Sequence, residues 1–292
     1  MKRQDKVNEK KICLITGATS GIGFAAAREL AQRGHIVLGV GRSTEKNARV
    51  EKQIKNESRN AEVEYFLADL SSQEDIRDLS KAIRSRYSSL DVLINNAGAI
   101  YADWQESPDG IEKTFALNHL GYFMLTLLLL DLMWDSAPSR IINVSSGAHS
   151  GVRLDFNDLE MKKNYDSWTA YSRSKLANIY FTYELSRRLS GSGVTVNAMS
   201  PGMVATDFGK NNPVGSVFVP AESRGSKTPE EGADTLVYLA LSPEVEGVSG
   251  RYFQNRDLVE TSPISHDKET AQKLWQVSLD MTGQEQTHES TV

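Results

Sequence analysis

The chain has 292 residues, of which 39% are hydrophobic and 24% are charged, a composition typical of a globular protein with ample apolar material for a core. Lys and Arg number 33 against 38 Asp and Glu, so the net charge of -5 gives no general attraction to nucleic acid or to an anionic membrane. We therefore expect neither partner. The single cysteine, Cys13, cannot form an internal disulfide, and its apolar surroundings predict a small buried side chain.

The two ends of the chain contrast with its middle. Residues 1–11 are dense in charged side chains and contain no apolar segment, which predicts a flexible extension without a secretory signal or a stable membrane anchor. Residues 282–292 are predicted to be a disordered tail. The most apolar stretch, Leu120 to Trp134, is short for a membrane span and contains Asp131, so we expect a buried core helix. A cytoplasmic location follows as an expectation.

Short apolar runs rich in β-branched residues alternate with longer segments of helical period. The strands are predicted at Ile12–Thr16, Ile36–Val40, Val63–Leu67, Val92–Asn95, Ile141–Ser145, Val194–Met199 and Arg251–Gln254. The helices are predicted at Ile22–Arg33, Thr44–Lys55, Gln73–Tyr87, Ile111–Trp134, Thr169–Leu189, Glu230–Leu241 and Asp267–Met281. This alternation predicts an α/β Rossmann fold in one domain over residues 12–281, with a doubly wound parallel sheet of about seven strands and helices on both faces.

Two long segments interrupt the alternation. Gly147 to Thr169 contains no clear element, and residues 203–228 combine several glycines and prolines with Phe208, Val217 and Phe218. Long loops in compact domains are usually functional lids or disordered segments, and the apolar side chains favour a lid over an apolar substrate. The helix at Asp267–Met281 is expected either to pack on the body of the domain or to border the substrate cleft.

A glycine-rich turn from Thr16 to Gly23 joins the first strand to the first helix. Glycines let the backbone approach a pyrophosphate, and the helix N-terminus offers unpaired N–H groups and a partial positive charge. The turn therefore predicts a dinucleotide site, with a purely structural turn as the alternative. No carboxylate follows the second strand to hold a ribose 2′-hydroxyl, whereas Arg42 is suited to a 2′-phosphate, which favours NADP(H). A solvated surface arginine is the alternative there.

Tyr171 and Lys175 are four residues apart and share one face of the predicted helix. A neighbouring ammonium favours the phenolate form of a tyrosine, so this pair predicts a proton-transfer group that works near neutral pH. The alternative is an ordinary amphipathic helix that happens to carry both residues.

With Asn95-Asn96-Ala97-Gly98 and Pro201-Gly202 also in order, the chain resembles the short-chain dehydrogenase/reductase family. Within it, the sequence resembles the retinol dehydrogenase branch, which includes retinal reductases and enzymes of other lipophilic substrates. The segments that carry this narrower resemblance are Arg42-Ser43, Leu117 to Gly121, the long insert before Tyr171, Ser174 to Asn178 and Lys273-Leu274-Trp275.

The resemblance implies roles for individual residues. Tyr171 would be the acid/base, Lys175 its electrostatic partner and a ligand of the nicotinamide ribose, Ser146 a support for the substrate oxygen, and Asn118 part of a water-linked proton path. The cofactor would be bound by Gly17, Thr19, Ser20, Gly21, Ile22, Gly23, Arg42, Asp69, Leu70, Asn96, Ala97, Gly98, Tyr171, Lys175, Pro201, Gly202, Val204 and Thr206. Structural alternatives remain: Asp69 as a helix cap, Asn118 as a polar residue within a helix, and Ser146 as a turn residue. No metal site is predicted.

The resemblance implies an NADP(H)-dependent enzyme that interconverts a carbonyl and an alcohol on a lipophilic small molecule. Alternatives are the same chemistry on a polyketide- or steroid-type ketone, or a non-catalytic sensor that binds NADPH. Because family members often associate through the helices at Ile111–Trp134 and Thr169–Leu189, a homo-oligomer is expected. Many retinol dehydrogenases carry an N-terminal hydrophobic anchor, whereas this sequence starts with charged residues.

Overall fold

The computed structural model describes residues 10–205 and 226–285. Its strands are β1 (Ile12–Thr16), β2 (Ile36–Gly41), β3 (Val63–Leu67), β4 (Val92–Asn95), β5 (Ser139–Val144), β6 (Val194–Ser200), β7 (Arg251–Gln254) and β8 (Asp257–Leu258). Its longer helices are α1 (Gly21–Gln32), α2 (Thr44–Ser58), α3 (Gln73–Arg84), α4 (Lys113–Asp135), α5 (Ser167–Arg188), α6 (Pro229–Leu241) and α7 (Lys268–Thr282).

The strands form one sheet in the order β3-β2-β1-β4-β5-β6-β7-β8, and the first seven strands along the chain are parallel. The prediction of an α/β doubly wound sheet is confirmed, with one extra strand. β8 runs antiparallel to β7 after a tight turn at Asn255 and Arg256, which both have positive φ. Two residues are too few to produce a periodic pattern, which explains why β8 was not predicted.

Alternating side chains of β1 divide the core into two layers. Cys13 and Ile15 pack with residues of α1, α2 and α6, whereas Leu14 packs on the opposite face with residues of α3 and α4. Successive side chains of a strand point to opposite faces, so a strand buried on both sides is apolar throughout. The predicted burial of Cys13 is confirmed, and burial raises the pKa of its thiol.

Helix α4 is the main core helix and is longer than its apolar stretch suggested. It has 23 residues, which is long and apolar enough to cross a membrane, but 89% of its most apolar window is buried inside the fold. The predicted core helix is therefore confirmed, and the whole helix, unlike the stretch Leu120 to Trp134 alone, is long enough to span a bilayer. A five-residue π-helical turn, Ala116–Leu120, interrupts it. At Gly121 the helix approaches the Leu70 carbonyl so closely that a Cβ would lie 2.6 Å from that oxygen.

The strand order reverses between β1 and β4, which are hydrogen-bonded neighbours. In open α/β sheets, ligands bind outside the carboxyl ends of the strands at such a reversal. The glycine-rich turn follows β1, and Asn96 follows β4. The fold thus gathers these two predicted cofactor motifs at one edge of the sheet.

Three predicted segments fall wholly or mostly outside the described residues. They are the N-terminal extension, the central part of the lid with Phe208, Val217 and Phe218, and the tail. The base of the lid is described: the Lys227 N–H donates to the Met203 carbonyl, and the Ala205 N–H donates to the Lys227 carbonyl, both at 2.9 Å. Thr282, placed in the tail by the sequence prediction, is a buried residue of α7.

Candidate active site

The glycine-rich turn is packed against the segment that follows β4. Gly17 has a φ of 65°, and a Cβ on it would lie 2.8 Å from the Ala97 Cα. A Cβ on Gly23 would lie 2.4 Å from both the Gly17 carbonyl oxygen and Asn96 Nδ2. Larger residues at these two positions would force the turn apart.

Hydrogen bonds of Thr16 and Asn96 connect the glycine-rich turn to the segment that follows β4. The Thr16 hydroxyl accepts from the backbone N–H groups of Asn96 (2.8 Å) and Ala97 (3.0 Å). In return, Asn96 Nδ2 donates to the carbonyls of Thr16 (2.8 Å) and Gly17 (3.3 Å). Asn96 Nδ2 and the Asn96 N–H therefore shape the turn, which leaves its Oδ1 and its main-chain carbonyl for the predicted contact with an adenosine ribose.

The residues predicted for the adenosine end lie after β2 and β3. Arg42 is exposed and lies beside Tyr101; burial raises the pKa of the Tyr101 phenol, and the guanidinium opposes this rise. The Asp69 carboxylate accepts from the backbone N–H (2.9 Å) and hydroxyl (2.8 Å) of Ser71, so it stabilises the turn before α3. This role is close to the helix cap that was the structural alternative for Asp69. The Leu70 side chain is in the core, which leaves only its backbone to face a cofactor.

The segment predicted to hold the nicotinamide end follows β6. The Ser200 hydroxyl accepts from the N–H of Gly202 (3.2 Å), which has a φ of 77°. Pro201 is partly buried, and the buried Val204 forms a β-bridge with Lys227. Thr206 lies outside the described residues.

Tyr171 and Lys175 lie on the inner face of α5. The helix begins where the Asp166 carboxylate accepts from the Thr169 N–H at 2.8 Å, an N-cap that fixes its start. Lys175 Nζ lies 5.5 Å from the ring centroid of Tyr171 and 5.7 Å from that of Tyr122 on α4. It donates to the Val144 carbonyl, at the end of β5, at 3.1 Å. The predicted pair therefore shares one buried site.

Burial controls the ionisation of both groups. It raises the pKa of Tyr171 to about 12, against a smaller lowering by a hydrogen bond with Ser146. Burial also lowers the pKa of Lys175 to about 7. The expected lowering of the tyrosine pKa by the ammonium is therefore not found, because a desolvated site disfavours both charged forms. At neutral pH Tyr171 holds its proton and is suited to donate it.

The two serines after β5 face opposite ways, as strand alternation predicts. The Ser145 hydroxyl donates to the Lys175 carbonyl at 2.8 Å and is buried against α5. Ser146 lies beside the Tyr171 phenol, and its hydroxyl accepts from the Ala148 N–H at 3.2 Å. Ser146 is therefore the serine that faces the reacting groups, although it also caps a turn.

Asn118 lies in the π-helical turn of α4. Its side chain forms two bonds with the Ala99 backbone: Oδ1 accepts from the N–H and Nδ2 donates to the carbonyl, both at 2.9 Å. Nδ2 also donates to the Ser174 hydroxyl at 3.0 Å. These contacts satisfy the side chain, so the predicted proton path would have to use the main-chain carbonyl of Asn118.

A cluster of buried polar side chains lies beneath the site. It is located between β4, β5, α4 and α5. Asn95 Nδ2 donates to the Thr126 hydroxyl and to Asn143 Oδ1, both at 2.9 Å. Asn143 Nδ2 in turn donates to the Thr182 hydroxyl at 3.0 Å. All four side chains are fully buried. The cluster joins the two strands to the two helices that carry Asn118 and Tyr171.

The edge of the sheet fits a nicotinamide dinucleotide. The Ser20 side chain does not cap α1, so the first-turn N–H groups remain open to a phosphate. The backbone is also free of side chains next to the catalytic face of α5, at Gly98. A Cβ on Gly98 would lie 3.2 Å from Asn118 Oδ1 and 3.5 Å from Lys175 Nζ. The N–H donors at the start of α1 and the backbone without a side chain at Gly98 together suit an elongated anionic cofactor.

Several residues of the site were missed from the sequence. Thr16 organises the turn, Tyr122 presents its ring to Lys175, and Asn178 contacts the Val144 carbonyl to which the lysine donates. Asn178 follows Lys175 by three residues, a spacing that puts both on one helical face and that could have revealed it.

Two apolar residues of the insert before Tyr171 pack against the body of the domain. Leu154 and Phe156 of the insert pack against the core cluster formed by α4, α5 and α7, and Lys273 Nζ lies 4.5 Å from the Phe156 ring centroid. Their hydrophobic character is explained by this packing. Of the two roles considered for the helix at Asp267–Met281, packing on the body is observed, because Trp275 contacts Phe123 and Phe181.

Comparisons with known proteins agree with this geometry. A family model described as short chain dehydrogenase matches residues 11–214. Human retinol dehydrogenase 14 is 42% identical over 94% of this chain and 86% of its own length, and human retinol dehydrogenase 13 is 41% identical over 94% and 85%. A short chain dehydrogenase from Escherichia coli CFT073, complexed with NADPH, superimposes with a TM-score of 0.69 at 26% identity, covering 88% of this chain and 100% of its own.

The same comparison overturns the predicted cytoplasmic location. The chain is similar to human retinol dehydrogenases 11, 13 and 14, and its helix α4 is long and apolar enough to cross a membrane, so a cytoplasmic location is unsupported. The prediction was wrong because a charged N-terminal stretch was used as evidence for the location of the whole protein.

Proposed function

Because this chain belongs to the short chain dehydrogenase family, in its retinol dehydrogenase-like branch, we propose that it interconverts a carbonyl and an alcohol on a lipophilic small molecule with NADP(H). The observation that carries the proposal is the convergence of Ser146, Tyr171 and Lys175 next to the segment after β4 that packs on the glycine-rich turn. Each of these groups is needed where negative charge grows on a substrate oxygen.

The bound cofactor would supply or accept the hydride. In the reducing direction, the Ser146 hydroxyl donates a hydrogen bond to the carbonyl oxygen as negative charge develops there. Tyr171, whose raised pKa keeps its proton in place, transfers that proton to the same oxygen. The Lys175 ammonium then stabilises the phenolate that remains.

The preference for NADP(H) is supported by Arg42. Its exposed guanidinium follows β2, where a dinucleotide enzyme specific for NAD would carry a carboxylate for the ribose 2′-hydroxyl. The solved relative that is complexed with NADPH is consistent with this preference. A lipophilic substrate is supported by the names of the retinol dehydrogenase relatives.

The decisive experiment measures NADPH oxidation with a panel of carbonyl compounds. The panel contains retinal, a steroid ketone, a polyketide-type ketone and small polar aldehydes. We expect turnover of at least one lipophilic compound, and a loss of about a thousandfold in kcat for Tyr171→Phe because the proton donor is removed. NADPH binding, measured by fluorescence, should survive in this variant. Binding without any turnover that depends on Tyr171 would contradict an enzymatic function, and better turnover of the polar aldehydes would contradict the substrate class.

A second experiment tests the cofactor preference. Arg42→Ala should weaken NADPH binding by about tenfold or more and leave NADH binding nearly unchanged, because only NADPH carries the 2′-phosphate. Arg49→Ala, an exposed arginine within α2, is the matched control and should change neither affinity. An equal loss for both cofactors in Arg42→Ala would contradict the assignment.

A further inference from the structure

A chain of buried hydrogen bonds extends from the C-terminal helix α7 toward Lys175. Ser278 Oγ on α7 lies 2.9 Å from Nε2 of His119 in the π-helical turn of α4. The other ring nitrogen, Nδ1, lies 3.4 Å from Oδ1 of Asn178 on α5. All three side chains are buried. This hydrogen-bond chain therefore joins three helices through polar atoms that are buried from water.

The inner end of this chain lies at the backbone around the lysine. Asn178 Nδ2 donates to the main-chain carbonyl of Asn118 at 2.9 Å and lies 3.5 Å from the Val144 carbonyl oxygen. The same Val144 oxygen accepts from Lys175 Nζ at 3.1 Å. Asn178 and Lys175 thus share one acceptor at the end of β5.

The partners fix the direction of every bond in the chain. Because Nδ2 of Asn178 faces two carbonyls, its Oδ1 faces His119 and must accept. His119 therefore carries its proton on Nδ1, and its Nε2 accepts from the Ser278 hydroxyl. Burial lowers the pKa of His119 to about 4, so the ring is neutral at physiological pH. All donors in this hydrogen-bond chain point from α7 toward the carbonyls of Asn118 and Val144.

We propose that Asn178 is a positioning residue for Lys175, and that His119 and Ser278 hold the Asn178 amide in its working orientation. The amide binds the Asn118 carbonyl and lies beside the Val144 carbonyl, which accepts from the lysine nitrogen. Aligned hydrogen bonds strengthen one another in a low-dielectric interior, so the orientation depends on the far end of the chain as well. This inference deepens the proposed function and rests on it, since Lys175 is there the partner of Tyr171.

Titration of Lys175 tests the inner end of the chain. Asn178→Asp replaces an N–H donor beside the shared Val144 oxygen with a carboxylate of similar shape, which favours the ammonium and should raise the pKa of Lys175 by at least about half a unit. The other titratable groups nearby, Tyr171 and Tyr122 at the lysine and His119 at residue 178, are present in both proteins. The measurement is NMR of 13C-labelled lysine in the full chain, with the signal assigned from Lys175→Arg.

Asn197→Asp is the matched control. Asn197 is also buried, donates to the Val248 carbonyl at 2.7 Å and accepts from the Arg251 N–H at 3.1 Å. It lies on β6 outside the chain of bonds described above. An unchanged pKa of Lys175 in Asn178→Asp, or an equal shift in Asn197→Asp, would overturn the inference.

The outer end of the chain is tested by kinetics. Ser278→Ala removes the donor to His119 and should lower kcat by about threefold to tenfold, with little change in KM for NADPH, because misplacement of a catalytic group reduces the rate of the chemical step. Thr282→Val is the control: Thr282 lies one turn later on α7, is equally buried and donates only to carbonyls of its own helix. Equal effects of the two substitutions would show a purely structural role of Ser278 and overturn the outer part.

The two experiments separate this inference from the proposed function. The NMR titration needs no turnover, so a shifted pKa of Lys175 in a protein without Tyr171-dependent activity would support the positioning role and contradict the enzyme. Turnover that depends on Tyr171, with no shift of the lysine pKa in Asn178→Asp, would support the enzyme and overturn the positioning role.

Discussion

In the glycine-rich turn, backbone atoms pack directly against other backbone atoms, whereas under the catalytic face of α5 the chain is held by side-chain hydrogen bonds. Gly17 and Gly23 leave no room for a Cβ beside the segment that follows β4. The catalytic face instead rests on buried amides and hydroxyls such as Asn95, Asn143 and Thr182. The first region is therefore sensitive to added volume, and the second to the loss of a donor or acceptor.

This difference has an energetic counterpart. A methyl group forced into the turn displaces the backbone that would contact a pyrophosphate, so binding suffers before folding does. Removal of one partner from a buried polar pair leaves the other unsatisfied in a medium of low polarity, so folding suffers directly. The two regions should thus respond to substitution in different measurements.

The largest effect is expected at the turn. Gly23→Ala should weaken NADPH binding by about a hundredfold, because its Cβ would overlap the Gly17 carbonyl and move the turn. Isothermal titration calorimetry gives the affinity, and circular dichroism checks that the fold is retained. The control is Gly34→Ala, where the φ is 83° but no atom lies within 4 Å of the added Cβ. It should lose about 1 kcal/mol of stability and keep its affinity. Equal affinities of the two variants would break the comparison.

An intermediate effect is expected in the buried amide cluster. Asn143→Leu should lower the free energy of unfolding by about 2–3 kcal/mol, because Asn95 Nδ2 loses one of its two acceptors and the Thr182 hydroxyl loses its donor, both in the buried core. Urea unfolding measures the loss. The double variant with Asn95→Leu and Asn143→Leu should lose less free energy of unfolding than the two single variants together. In the double variant neither amide of this pair is left without the other. Additive losses would show that this cluster does not act as a unit.

The smallest effect concerns the buried charge of Lys175. Its pKa is lowered to about 7 in the folded chain, so between about pH 7 and the unfolded value of 10.5 the unfolded chain binds more protons and stability rises with pH. Lys175→Met should remove this rise and be more stable than the wild type at pH 7 by about 1 kcal/mol or more. Thermal unfolding from pH 7 to 9 compares the two proteins below the titration of Tyr171. Parallel pH profiles would exclude a desolvated lysine.

Much of the fold could be predicted because the relevant signals are local. The apolar runs of β1, β3, β4 and β7 coincide with the observed strands, and the other predicted boundaries of described elements differ by at most three residues. Strand β5 begins earlier than predicted, at Ser139, because its pairing with β6 extends beyond its apolar run. The start of β5 is therefore set by its pairing with β6, a strand distant in the sequence, and not by a local pattern.

The site was predicted less evenly. The shared helical face of Tyr171 and Lys175 followed from their spacing, whereas the choice of Ser146 came from the family resemblance. The lowered pKa of Lys175 and the raised pKa of Tyr171 did not follow from local pattern, because burial is a property of the whole fold. The side-chain direction of Asn96 was also beyond local pattern, since it depends on the approach of two segments far apart in the chain.

The π-helical turn at Ala116–Leu120 imposes a rotational constraint on α4. The Gly121 N–H bonds to the Ala116 carbonyl, five residues back, so this turn contains one residue more than a regular α-helical turn. Each residue of an α-helix turns the chain by about 100°. Deletion of one residue here would rotate Asn118 and the core face after Gly121 out of phase with each other. Insertions or deletions in this stretch should therefore be far less tolerated than substitutions, although the helix itself would remain regular.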